Sequence, residues 1–187
     1  MLNPATAFLN TIHPLSPGLL EYIELHIKSR NIPKKSILLK AGQTAENIYF
    51  IEKGILRSFN KKKDKEICNW FMGEGDLIIA VNSFYQQVPS EEFIESLEPC
   101  VLHSLSFKQL QHIYFNFPEF NFIGRQLTEH YYLLSEKRNV SMRFNNASER
   151  YAFLKKTSPS FFHRVPAKYI ASYLGISAET MSRIKKK

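Results

Sequence analysis

The feature that most constrains this chain is a glycine set between two short amphipathic segments in residues 165–187, VPAKYIASYLGISAETMSRIKKK. Pro166 suits the first turn of a helix, where a missing N–H costs nothing, and a helix begun there can run to Leu174 before Gly175 breaks it. Ser177 then opens a second helix. Its hydroxyl is placed to accept from a first-turn N–H, and Glu179 lies where the helix dipole favours negative charge. Ile170, Leu174, Ile176, Met181 and Ile184 fall where two crossed helices bury side chains, and Ala171 is small enough to let them approach. Two such helices form a helix-turn-helix. Ala178, Glu179, Ser182, Arg183 and Lys186 are left facing outward, a polar face of the kind that enters a major groove. A plain helical hairpin with a solvated face would share much of this pattern, so charge must help to decide between them.

The basic residues are concentrated in the same region. Residues 137–187 hold twelve Lys and Arg against two acidic residues, which leaves 13 basic and 15 acidic in residues 1–136. The whole net charge of +8 therefore belongs to the C-terminal module, the electrostatic footprint of phosphate binding. Lys168, Lys185, Lys186 and Lys187 join the outward face as expected DNA contacts.

Upstream, the pattern changes twice. Residues 15–27 have helical spacing, with Ser16 as cap and Pro17 in the first turn. After Pro33 come short runs rich in Ile, Leu, Phe and Tyr (SILLK, NIYFIEKGILRSF, EICNWF, DLIIA, FIESL, CVLHSLS), separated by turn signals, which predict an antiparallel sandwich or barrel. Residues 107–115 return to helical spacing. Residues 118–143 read as one long helix in which Ile123, Leu127, Tyr131 and Leu134 recur every three or four positions. That stripe either packs on its own domain or forms a seam between two copies; the seam is expected, because a helix-turn-helix gains affinity and selectivity from a symmetric partner. Asn146 and Glu149 form a capping box for a further helix over residues 147–156.

With 44% hydrophobic residues, the chain has ample material for a core. It has no apolar run of membrane-spanning length and no signal-peptide pattern at its start, so a cytoplasmic protein without membrane contact is expected. Cys68 and Cys100 are read as small core residues. The six histidines are isolated in sequence and only His103 lies in a predicted strand, so no metal, cofactor or catalytic residue is expected. DNA binding has two rivals: a cupin-like enzyme, for which the histidines are wrongly distributed, and a ligand-binding roll acting through protein contacts alone.

A roll, a long helix and a helix-turn-helix in that order resemble the CRP/FNR family of bacterial transcription regulators. The resemblance rests on Gly42 followed by NIYFIEKG ending at Gly54, on Gly75-Asp76, and above all on LGISAETMSRI from Leu174 to Ile184. It implies an α+β fold divided into a cyclic-nucleotide-binding-like β-roll of jelly-roll type with flanking helices (1–117), a long dimerisation helix (118–144) and a helix-turn-helix with a truncated wing (145–187). It also implies a dimer on a near-palindromic operator in double-stranded DNA. Base reading would fall to Glu179 and Arg183, with Ser177 and Thr180 near phosphates. Ala178 replaces a polar reader, and little chain follows for a wing. An activator would also meet RNA polymerase, though no stretch marks the surface for it.

Family members that bind a cyclic nucleotide carry a Gly-Glu pair for the ribose and an Arg followed by a small residue for the cyclic phosphate, and neither is present in the corresponding stretch, Gly75 to Asn82 through Ser90 to Phe93. A small-molecule effector, if one exists, is expected near Gly75, Asp76, Leu77, Ala80, Val81, Glu91, Glu92 and Arg125. No Lys or Arg lies between Lys65 and Lys108, so a phosphate there would meet carboxylates, and only Arg57 or Arg125 could reach it from elsewhere.

Overall fold

The computed structural model describes residues 2–63 and 65–185. Two helices lead in, α1 (Pro4–Ile12) and α2 (Pro17–His26). Eight strands follow: β1 (Lys28–Ile32), β2 (Ile37–Leu39), β3 (Asn47–Lys53), β4 (Leu56–Lys62), β5 (Lys65–Met72), β6 (Leu77–Ile78), β7 (Glu92–Ser96) and β8 (Cys100–Ser106). A short helix α3 (Val81–Gln86) sits between β6 and β7. Then come α4 (Phe107–Asn116), α5 (Phe120–Phe144), α6 (Ala147–Thr157), α7 (Phe161–Arg164), α8 (Ala167–Tyr173) and α9 (Ala178–Lys185).

The strands make two four-stranded antiparallel sheets, ordered β1-β8-β3-β6 and β2-β7-β4-β5. Each sheet mixes strands distant in sequence, as in a jelly roll, so the inner faces close over one another and bury Ile51, Leu56, Ile94 and Leu102 between them. The α1, α2 and α4 helices and the first turns of α5 cover one end of the same core through Leu9, Leu19, Ile23, Ile113, Phe120 and Ile123. Gly124 is required where α5 crosses α4, because a Cβ there would lie 2.2 Å from the Tyr114 hydroxyl.

The C-terminal helices share a second core with the roll. Ile55, Phe59, Cys68, Phe71 and Leu97 pack with Leu154, Val165, Ile170, Leu174 and Met181. This joins the helix-turn-helix to the outer face of β4 and β5 through apolar contact.

Most expected elements are present, with caps as the sequence predicts. Ser16 accepts from Leu19 N, and Asn146 and Glu149 form the reciprocal capping box of α6. Three helices and one strand are not foreseen by the sequence pattern. The α1 helix starts at an Asn3 cap, whose side chain accepts from Ala5 N, followed by Pro4; the turn signals of this stretch overlie a helical one. In DLIIA only Leu77 and Ile78 are strand, and the chain then turns into α3. The four-residue α7 is too short for a periodic signal, and β1, with four of its five residues exposed, has no apolar alternation to betray it.

Candidate functional site

Helices α8 and α9 form the helix-turn-helix. Gly175 takes φ +65°, the left-handed conformation that lets the chain reverse between them. Ser177 Oγ accepts from Thr180 N at 3.1 Å, the expected cap. Ile170, Ala171, Leu174 and Met181 are buried, so the apolar register read from the sequence is the one that packs. Ser177, Ala178, Glu179, Ser182, Arg183 and Lys185 are exposed and Thr180 is half-buried, giving α9 one polar face turned to solvent; Lys168 on α8 is exposed as well. Lys186 and Lys187 lie outside the described residues. Arg183 donates to Thr180 Oγ1 at 3.2 Å, and no ion pair joins it to Glu179 among the described residues. The Ser177 hydroxyl, and to a lesser degree the Arg183 charge, hold the Glu179 carboxyl below its usual range, so Glu179 is an anionic acceptor at neutral pH.

Not all of the C-terminal positive charge is free for phosphate. Arg138 donates to the carbonyl of Tyr173 at 3.0 Å, and Arg150 donates to those of Leu174 and Asn145 at 2.9 and 2.6 Å. Arg164 forks onto Glu74 at 2.9 and 2.5 Å and also binds Glu98. Its guanidinium, together with the Gly54 N–H, lowers the Glu74 carboxyl to about 2. These three arginines fasten the C-terminal helices to one another and to the roll. The count of basic residues alone therefore overstates the charge available to DNA.

Arg57 sits at the centre of the same junction. It is 1% exposed, donates to Glu95 and Glu66 at 2.7 Å each, and stacks between the rings of Phe59 and Tyr169, 3.9 and 3.7 Å from their centroids. Tyr169 belongs to α8. Arg57 thus clasps the helix-turn-helix to β4 and is not placed to meet a ligand phosphate. Ser172 completes the junction, accepting from Cys68 N and donating to the Glu66 carbonyl, both at 3.0 Å.

The expected dimer seam needs correction. Ile123 is fully buried in its own chain, Leu127 packs partly against the same core, and Tyr131 accepts from Leu77 N at 2.6 Å. Leu134 is half-buried on the same side. The stripe from Ile123 through Tyr131 serves the roll. The exposed apolar residues of α5 are instead Phe122, Tyr132, Leu133, Val140, Met142 and Phe144. Helical spacing identified an apolar face correctly but could not say which of two such faces turns inward, because the inner partner is supplied by β6 and the roll.

The effector residues divide. Leu77 and Val81 line a cavity of about 380 Å³ bordered by residues of α1, β3, β5, β6 and α5. Ala80 is buried just before α3 but does not line it. Gly75 and Asp76 form the turn before β6, where Asp76 accepts from Gly73 N at 2.9 Å, and burial raises the Asp76 carboxyl. Glu91 is exposed; Glu92 accepts from Asn69 at 3.1 Å and borders a separate recess with Trp70 and Tyr85. Arg125 is exposed and paired with Glu129 at 2.8 Å on the helix surface, away from the cavity. The cavity residues that sequence reading missed, among them Phe8, Phe50, Trp70, Tyr85 and Tyr114, come from elements far apart in the chain, and nothing local marks them.

Residues 29–117 match the family model described as the cyclic nucleotide-binding domain. Over 180 residues the chain is 26% identical to the cAMP-activated global transcriptional regulator CRP of Pasteurella multocida, covering 89% of this chain and 85% of that protein. A transcriptional regulator of the crp/fnr family from Eubacterium rectale superposes with a TM-score of 0.75 at 15% identity, covering 96% of this chain and 86% of that one. The c-di-GMP-responsive global regulator CLP of Xanthomonas campestris superposes with a TM-score of 0.68 at 20% identity, with coverage of 91% and 90%. These relatives are regulators, not enzymes. Among the described residues no helix is long and apolar enough to cross a membrane.

Proposed function

We propose that this chain, a member of the CRP/FNR family of transcription regulators, binds a near-palindromic operator in double-stranded DNA as a cytoplasmic homodimer and reads it with α9. The observation that carries the reading is the division of α9. Met181 is buried beneath it, while Glu179, Ser182 and Arg183 stand exposed on one face with Lys168 and Lys185 beside them. Arg183 matches the O6 and N7 acceptors of guanine, and Glu179 can accept from cytosine N4–H; lysine charges suit phosphates.

In this reading residues 1–117 sense, 118–144 pair the two copies and 145–187 bind DNA. Pairing falls to the exposed stripe of α5. Phe122, Leu133, Val140 and Phe144 lie within about 40° of one another at 100° per residue, on a face roughly opposite Tyr131. A homodimer that buries this stripe also presents two α9 helices to successive grooves.

Cyclic AMP and cyclic GMP are not effectors in this reading. Arg57 is committed to Glu66 and Glu95, and Arg125 to Glu129. The proposal is tested by the salt dependence of DNA affinity, measured by fluorescence anisotropy on a labelled duplex recovered by selection. Counterion release requires log affinity to fall with log salt at about −0.9 per neutralised phosphate. Binding insensitive to salt would show that the C-terminal helices do not grip phosphate.

A further inference from the structure

The cavity between the roll and α5 has a chemical character the family resemblance does not supply. Its volume of about 380 Å³ lies in the range of small-molecule sites. Its walls are apolar side chains such as Leu9, Phe50, Met72, Ile78, Leu105 and Leu127, and no Lys, Arg, Asp or Glu lines it. His103 is the one imidazole in the wall, and both its ring nitrogens are engaged, Nε2 with Glu52 at 2.6 Å and Nδ1 with Ser29 at 2.8 Å and Asn3 at 2.9 Å. An anion bound here would lose its hydration without gaining a cation, a cost that apolar contacts cannot offset.

The polar groups present are hydroxyls. Ser58, only 2% exposed, borders the cavity with no side-chain hydrogen bond among the described residues. Tyr131 accepts from Leu77 N and so keeps its own proton to donate. Burial raises the phenols of Tyr114 and Tyr131 to about 12, so both remain neutral donors at physiological pH.

One wall also touches the DNA-binding unit. Trp70 borders the cavity, and the Arg138 guanidinium lies 5.6 Å from its ring centroid and 3.8 Å from that of Tyr173, while donating to the Tyr173 carbonyl. Tyr173 is the last residue of α8. A displacement of Trp70 therefore reaches the helix-turn-helix through Arg138 and through the tilted contact of Trp70 with Tyr173 itself, ring centroids 6.5 Å apart.

We propose that this cavity binds an uncharged, predominantly apolar small molecule bearing one hydrogen-bond acceptor, and that the Trp70–Arg138–Tyr173 stack transmits its occupancy to α8. The ligand assignment stands on the cavity alone; the transmission rests on the DNA-binding reading.

The test uses the full chain and N-phenyl-1-naphthylamine, an uncharged two-ring probe. Trp70 is the only tryptophan, so quenching of its emission by energy transfer reports a probe held near it. The expected result is saturable binding at one site per chain, displaced by decanol and at least about tenfold less well by decanoate at neutral pH, with cyclic AMP inert. Leu127→Phe, which enlarges a wall residue, should weaken the probe, and competition by decanol on the wild type gives the same information should that variant not fold. Decanol should shift affinity for a selected duplex on the order of fivefold or more, and Arg138→Met should diminish the shift while leaving probe affinity unchanged. Failure of the folded wild type to bind the probe saturably, or equal competition by decanoate or cyclic AMP, overturns the ligand assignment. Probe binding that weakens as protein concentration rises also overturns it, since a second copy would then fill the cavity. An unchanged DNA affinity with probe bound overturns the transmission, whereas a protein that binds the probe and no DNA leaves the site standing and removes the regulator reading.

Discussion

Replacing Arg57 with alanine removes the group on which the junction of roll and helix-turn-helix depends. The guanidinium is 1% exposed; Glu95, which accepts from its Nε, is 13% exposed, and Glu66, which accepts from Nη2, is 35% exposed. Truncation leaves Glu95 as a nearly buried carboxylate with no cation, and breaking one side of such a pair costs about 3–5 kcal/mol. Glu66 is wet enough to recover hydration and adds little. The stack on Phe59 and Tyr169 is lost too, but it shares the same partners and is not simply additive. A loss of about 3–4 kcal/mol follows, or a fall in Tm of roughly 6–16 °C for a chain of this length. Circular dichroism during heating, with urea unfolding alongside, measures it. Arg57→Met combined with Glu95→Leu should recover part of the loss, because no charge is then left buried alone. A loss within about 0.5 kcal/mol would refute the clasp, since that is the range of ordinary surface substitutions. So would cyclic AMP binding to the wild type that disappears in Arg57→Ala, because Arg57 would then be the phosphate partner.

Three further outcomes follow from the same geometry. Leu133→Asp or Val140→Asp should give monomers by sedimentation while the melting profile stays near wild type, whereas Leu127→Asp places a charge against the roll core and should destabilise the fold itself. Glu74 is held by Arg164 to about 2 against an ordinary 4.5, so its stabilising contribution is complete above pH 4.5 and is lost as pH falls towards 2; the stability difference between wild type and Glu74→Gln should close across that window. Neutralising Lys168 or Lys185 should weaken binding to all sequences alike and make the salt slope shallower by about one unit for each phosphate no longer neutralised.

The legible parts of the chain were those where local chemistry decides. Caps at Ser16, Asn146 and Ser177, the Gly175 turn and the buried register of α8 and α9 each involve residues within a few positions of one another. Long-range partners were not legible. Ile123, Leu127, Tyr131 and Leu134 form an apolar stripe whichever side they face, and the contacts of the first three with Leu77 and the roll set that side. Arg57, Arg138 and Arg164 look like free cations in sequence, yet each is committed to groups at least nine residues away. The cavity draws its walls from α1, β3, β5, β6 and α5, and no segment by itself carries its pattern.

Selection of binding sites from random duplexes, run with wild type and with Arg183→Ala, tests the central claim most directly. The wild type should recover a near-palindrome with half-site centres about 34 Å apart, one helical turn. Arg183→Ala should bind it about 1–3 kcal/mol more weakly and lose preference at one base pair in each half-site. A wild type that enriches no motif, or an Arg183→Ala protein that enriches the unchanged one, would contradict base reading by α9.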